Sequence, residues 1–235
     1  METENQNTAE KRAIVRPAEG RDLEEMAELY ATSFPEHIMV HRGILNNPSY
    51  LGEQIASPDQ RWKVAELDNE IVGVAALSIA RPVGLGEIER VCVGLPFRGN
   101  GVSTGLCGSL VEAAREQELG FVEAFARGDQ PAMQRTFEKL GFIVYGVAPR
   151  FEIIHNGIGR KKKVVREQFV HMGLELKPET VDEKKMDLIP DARGVYERVH
   201  WQIAEKNKTE EERFREWYNE HFFQDSNGVW WCRDF

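Results

Sequence analysis

Residues 91–103 read Val-Cys-Val-Gly-Leu-Pro-Phe-Arg-Gly-Asn-Gly-Val-Ser. An apolar strand runs into a glycine-rich turn that carries one arginine, and the turn opens a helix. Such a junction gathers backbone N–H groups at the positive end of a helix dipole, a seat for a phosphate or pyrophosphate. The spacing Arg98-x-x-Gly101-x-Ser103 has neither the Gly-Lys-Ser/Thr of a nucleoside triphosphate loop nor the GxGxxG of a dinucleotide fold.

Working outward, periodicity predicts the remaining elements. Residues 13–17 form a short strand. Asp22-Leu-Glu-Glu25 reads as a capping box opening a helix, with Leu23, Met26, Tyr30 and Phe34 as its apolar stripe and Pro35 as its stop. Residues 35–60 are irregular, apart from a helix near 49–56 started by Pro48. Residues 61–67 and 71–79 are strands joined by Asp68-Asn69-Glu70, a hairpin signal. Residues 87–93 feed the loop. A helix over 101–118 buries Leu106, Leu110, Val111 and Ala114, with Gly120 as its C-cap. Its Gly105 and Gly108 cost about 1 kcal/mol each and predict close packing against the sheet or a bound ligand. A strand (121–126), a helix (131–140) and two strands (142–154 and 164–176) complete the domain. The predicted fold class is α/β (α+β): a mixed, mostly antiparallel sheet flanked by helices.

The domain is expected over residues 12–176, after a polar, disordered tail at 1–11. Gly157-Ile-Gly159 and Arg160-Lys-Lys-Lys163 mark a hairpin tip whose lysines solvate an edge, a basic lip for phosphates or an acidic ligand being the alternative. Residues 177–235 form an extension expected to be helical, with two amphipathic helices over 192–223. It holds Trp201, Trp217, Trp230 and Trp231. Its apolar stripe (Val195, Val199, Phe214, Trp217, Phe222) is expected to pack on the main domain, a lid over the site or a homodimer contact being the alternatives.

Composition narrows the function. The chain has 235 residues, 41% of them hydrophobic, enough for a sizeable core. No apolar run is long enough to span a membrane, and the N-terminus has no signal-peptide core. Three cysteines without a CxxC argue against a disulfide framework or a metal site and favour a cytoplasmic setting. A net charge of −9 argues against nucleic acid and anionic lipid as partners.

The loop and the element order resemble the GNAT acetyltransferase superfamily over residues 13–176. A second stretch, Gln130-Pro-Ala-Met-Gln-Arg-Thr-Phe-Glu-Lys-Leu-Gly-Phe142, resembles that family's Asn-x-x-Ala-x-x-x-Tyr-x-x-x-Gly-Phe helix. Here Gln130, Met133 and Phe137 replace the usual asparagine, alanine and tyrosine, and Ser103 ends the loop in place of a small residue. Ser33-Phe-Pro35, Pro48-Ser-Tyr-Leu51, Ala126-Arg127 and Thr136-Phe-Glu-Lys-Leu-Gly141 are similar, more weakly, to β-lysine acetyltransferases.

The resemblance implies acetyl-CoA as cofactor and a primary amine of a small molecule, such as an amino acid, as acceptor. A peptide amine and a catalytically silent acyl-CoA-binding module are the alternatives. Arg98 would pair a phosphate. The amides of Gly99, Asn100, Gly101, Val102 and Ser103 would cradle the pyrophosphate, with the hydroxyls of Ser103 and Thr104 as further donors. A β-bulge is expected at Gly94, splaying the strand from its neighbour and freeing the backbone of Val91, Cys92 and Val93 for the pantetheine arm and thioester oxygen. Gln130 and Phe137 complete the cofactor wall. Phe137 cannot protonate a departing thiolate as a tyrosine would.

Glu87 and Glu89 are the candidate general bases. They alternate along one strand and so share a face, with Cys92 expected on the opposite one. The competing reading pairs them with Arg90 or Arg127 as structure. Tyr145 is the spare acid candidate, and His37 and His41 lie in the segment expected to border the acceptor.

Overall fold

The computed structural model describes residues 12–35, 37–128, 130–154, 163–181, 222–224 and 230–232. In chain order its elements are β1 (Ile14–Pro17), α1 (Leu23–Ser33), α2 (Ile38–His41), α3 (Pro48–Ala56), β2 (Gln60–Leu67), β3 (Glu70–Ala80) and β4 (Leu85–Val93). They continue with α4 (Val102–Glu116), β5 (Phe121–Arg127), α5 (Pro131–Lys139), β6 (Ile143–Ile154) and β7 (Lys163–Glu175). The strands form one seven-stranded sheet in the order β1-β2-β3-β4-β5-β7-β6. Of the neighbouring pairs, β4 and β5 run parallel and the rest antiparallel. This is the mixed, mostly antiparallel sheet predicted.

Two apolar cores sandwich the sheet. On one face α4 and α5 pack through Leu106, Leu110, Val111, Ala114 and Phe137 against Ala75, Leu77, Ile88, Val122 and Ala124. On the other, α1 and α3 bring Met26, Tyr30 and Leu51 onto Trp62, Val74, Ala76 and Cys92. Each fully buried aliphatic side chain contributes about 1.5–3 kcal/mol. The β2–β3 hairpin turns on Asp68 and Asn69, both at positive φ (52° and 65°), as a tight two-residue turn demands.

Several local expectations need correction. Asp22 does cap α1 by position, but its side chain makes no cap bond to that helix. Its carboxylate instead takes Arg16 through both oxygens (2.7 and 2.8 Å) and the Glu19 N–H (2.8 Å). The segment at 35–60 contains α2, too short for its periodicity to register. Gly120 does not terminate α4; Glu118 takes the left-handed position there, at φ 54°. Gly120 is required for another reason: a Cβ would lie 2.7 Å from the Lys177 carbonyl and 2.3 Å from Val181. Gly105 and Gly108 are not forced by packing, because a Cβ at either would sit at ordinary contact distance, 3.4 Å from Val15 and 3.5 Å from Leu140.

The extension departs furthest. Its described end is a hairpin of β8 (Phe222–Gln224) and β9 (Trp230–Cys232), with β9 lying against β6. Residues 222 and 223 are therefore strand rather than helix. Phe222-Phe223 and Trp230-Trp231 are aromatic pairs of the kind that favour strand. The helices expected over 192–221, the tip at 155–162 and the tail at 1–11 lie outside the described residues. Among the described residues, no helix is long and apolar enough to cross a membrane.

Candidate active site

The site begins where two strands part. β4 and β5 pair from Leu85↔Phe121 to Ile88↔Ala124. Beyond that point β4 continues to Val93 and β5 to Arg127 without pairing, so a wedge opens between residues 89–93 and 125–127.

The cause is a bulge at Arg90 and Val91, upstream of the Gly94 that the sequence suggested. On the β3 side Val74 faces Cys92 while Ala76 faces Glu89, so Arg90 and Val91 together oppose Ala75. Arg90 adopts φ 56°, unusual for an arginine, and the Tyr30 hydroxyl donates to its carbonyl at 2.5 Å. Gly94, the expected bulge, has an ordinary φ of −53° and starts a tight turn, Leu95–Phe97. It stays small because a Cβ would press on Phe97 at 3.2 Å.

The extra residue changes which side chains share a face. Cys92 was expected opposite the glutamates. The structure packs it with Leu29, Val74 and Ala76, on the face where Glu89 accepts from Ser78. One inserted residue inverts the alternation past Arg90. Burial pushes the Cys92 thiol up to about 11, against smaller lowering effects of Ser33 and Arg98, and pushes Cys107 up to about 12. Neither is a thiolate at neutral pH, so both serve packing.

Main-chain donors line the wedge. The Gly94 N–H bonds the Val72 carbonyl at 3.0 Å and Cys92 faces Val74, so alternation turns the main-chain groups of Val91 and Val93 away from β3. The Val93 carbonyl is taken by Arg98 Nε at 3.0 Å. Past the turn, Gly99 and Gly101 hold left-handed backbone (φ 83° and 78°), and Gly101 is the N-cap of α4. Among the described residues, none of the amides of residues 99–104 donates to a backbone carbonyl. A Cβ at Gly99 or Gly101 would meet no atom within 4 Å, so the space over the loop is open. Free amides, an open cradle and the start of a 15-residue helix together fit an anionic pyrophosphate.

The predicted side chains are distributed around this frame. Ser103 Oγ lies 3.2 Å from Thr136 Oγ1 and ties α4 to α5, leaving Thr104 as the hydroxyl nearest the loop without that engagement. Arg98 is turned toward α1, its guanidinium 5.4 Å over the Phe34 ring. Gln130 caps α5 by position, and Phe137 is buried against Phe142 with ring centroids 5.1 Å apart. Glu89 stands immediately past the last β4–β5 pair, at the mouth, with its carboxylate on Ser78 Oγ and 3.2 Å from Arg90 Nη1. Glu87 lies deeper, opposite Glu123 in the paired stretch. Tyr145 is fully buried, its hydroxyl donating to Glu123 at 3.2 Å, so it reaches the paired part and not the mouth. His37 precedes α2, where its Nδ1 accepts from the Met39 N–H at 3.2 Å; His41 ends α2.

A family model described as the acetyltransferase (GNAT) family matches residues 23–142, just over half of the chain, from α1 through the wedge and the loop to α5. The chain belongs to the GNAT acetyltransferase family. No curated protein matches its sequence. Solved GNAT folds superpose on it at low identity. A ribosomal-protein-alanine N-acetyltransferase from Brucella melitensis is 20% identical, with a TM-score of 0.55, covering 69% of this chain and 99% of its own. An N-acetyltransferase from Staphylococcus aureus is 17% identical, with a TM-score of 0.59, covering 70% and 99%. A GNAT phosphinothricin acetyltransferase from Sinorhizobium meliloti, solved in complex with AcCoA, is 18% identical, with a TM-score of 0.59, covering 71% and 89%. These superpositions cover 69–71% of this chain and leave the remainder without a counterpart in them.

Sequence reading missed the polar groups that surround Glu89: Ser78, Gln60 and the Arg90 side chain. A signal was present, since Ser78 is the one polar side chain in the apolar run from 71 to 80.

Proposed function

We propose that this protein is an acetyl-CoA-dependent N-acetyltransferase acting on a primary amine of a small molecule. The observation that carries the reading is the wedge at the Arg90 bulge, continuous with the free amides of residues 99–104. Bound acetyl-CoA supplies a thioester whose carbonyl carbon is open to amine attack. The loop amides and the α4 N-terminus neutralise its pyrophosphate at short range, against an overall charge of −9 that screening weakens beyond about 8 Å. Val91 and Val93, turned into the wedge, supply N–H donors to the pantetheine arm and to developing oxyanion charge.

Glu89 is the general base. An alkyl ammonium has a pKa of about 10, so a carboxylate at the mouth must take its proton, directly or through water, before attack. Phe137 supplies no proton to the leaving thiolate. A thiol pKa of about 8.5 makes unassisted departure tolerable near neutral pH.

A small acceptor is supported by α2, which lies against β6. The segment after α1 thereby reaches from the β4 side of the sheet to the β6 side, enclosing the acceptor approach rather than leaving a long groove. The test is thiol release from acetyl-CoA with lysine, other amino acids, short diamines, and peptides bearing a free N-terminal alanine or an internal lysine. The reading expects the best small amine to exceed both peptides at least tenfold in kcat/KM. Faster peptide turnover replaces it with a peptide acetyltransferase. Tight cofactor binding with no release for any amine replaces it with a silent binding module.

A further inference from the structure

The polar groups around Glu89 form a closed ring in which two donor arms leave Arg90 and meet at Glu89. Arg90 Nη1 lies 3.5 Å from Gln60 Oε1 and 3.2 Å from Glu89 Oε1. Gln60 Nε2 donates to Ser78 Oγ at 2.7 Å, and Ser78 Oγ donates to Glu89 Oε1. The arginine fixes the rest. It has only donors, so it holds the oxygen of the Gln60 amide toward itself and turns the NH₂ toward Ser78. Ser78 Oγ receives that N–H, so its own proton points at Glu89. Arg90 is itself pinned, with its guanidinium carbon 5.5 Å over the Trp62 ring and Nη1 3.5 Å from Gln54 Oε1.

Both donors converge on one carboxylate oxygen. Oε1 takes Ser78 and Arg90, while among the described contacts Oε2 takes neither. A carboxylate held through one oxygen presents the other in a fixed direction, as a positioned base requires. The ring spans β2, β3 and β4 and lies on the α1–α3 face, so it belongs to the rigid sheet rather than to a loop.

We propose that Ser78, oriented by Gln60, is a positioning residue for this transferase: it anchors Glu89 Oε1 so that Oε2 faces the acceptor amine. This inference rests on Glu89 being the base.

The test is a double-mutant cycle on acetyl-CoA thiol release. The acceptor is the best amine of the panel above, or water if no amine turns over. Glu89→Gln should lower kcat by about a hundredfold. Ser78→Ala should lower kcat by about tenfold with the KM for acetyl-CoA unchanged, the scale of one hydrogen bond to a charged group. Ser78→Thr, which keeps the hydroxyl and suits a strand, should return kcat to within about threefold of the parent. In the Glu89→Gln background, Ser78→Ala should have no further effect. Full activity of Ser78→Ala, no rescue by threonine, or multiplied losses in the double variant would overturn the positioning role. Undiminished activity of Glu89→Gln would overturn the base assignment, and with it this inference, whatever Ser78→Ala does.

Discussion

Replacing Gly101 by valine separates the loop's binding role from its folding role. Gly101 sits at φ 78° and ψ 3°, a conformation that costs an L-residue about 1–2 kcal/mol, with β-branched residues at the upper end. Beyond its chain neighbours no atom lies within 4 Å of its would-be Cβ, so the cost is backbone strain rather than a clash of that Cβ with packed groups. The fold loses about 2 kcal/mol, which a domain stable by about 5–15 kcal/mol tolerates. The loop relieves the strain by moving, and the amides of residues 99–104 lose their common focus. Losing two charge-assisted hydrogen bonds at about 1.5 kcal/mol each weakens coenzyme A by roughly a hundredfold. Calorimetric titration with coenzyme A, beside a thermal melt, reads both quantities. Gly101→Asn should fall between parent and valine, because asparagine tolerates left-handed backbone. Unchanged affinity for Gly101→Val would refute the argument, as would collapse of the fold without the modest melting shift expected.

Other outcomes follow from the packing and ion pairs. Gly108→Ala should stabilise the protein by up to about 1 kcal/mol, since a Cβ there meets Leu140 at 3.5 Å; chemical denaturation measures it. Asp22→Ala should destabilise by about 2–3 kcal/mol by stripping Arg16 of its two-pronged partner. The Arg16 side-chain bond holds the Asp22 carboxyl below its ordinary 3.8. Its contribution is therefore complete above that value and is lost as pH falls through the lower folded-state pKa. Melts in acid should show the parent converging on Asp22→Ala. Cys92 and Cys107, raised to about 11 and about 12 by burial, should resist an aromatic disulfide reagent at pH 8 until denaturant is added.

The element order was legible because the signals are long. Seven residues of alternation feed the loop, and α4 repeats Leu106, Leu110, Val111 and Ala114 on one face. The turn into α4 was legible too, since Gly99 and Gly101 occupy the left-handed positions that only glycine takes freely. The bulge was not. Its residue is an arginine, and sequence reasoning looks for glycine, so the break was placed at Gly94 and the face of Cys92 came out inverted. The ring behind Glu89 was hidden for a related reason: Gln60, Ser78 and Arg90 come from three strands, and only pairing register brings them together. At the C-terminus, helical spacing in a Trp-rich segment masked a hairpin whose pairing partners lie six residues or more apart.

The central claim is that one continuous surface, from the bulged strand through the loop to α4, receives the cofactor. An amide-resolved NMR titration of the full chain with acetyl-CoA tests it most directly. The largest shifts should fall on the N–H signals of Val91, Val93 and residues 99–104, saturating together at one stoichiometric equivalent. Saturable shifts confined to other elements, or an unperturbed loop at saturating acetyl-CoA, would contradict it.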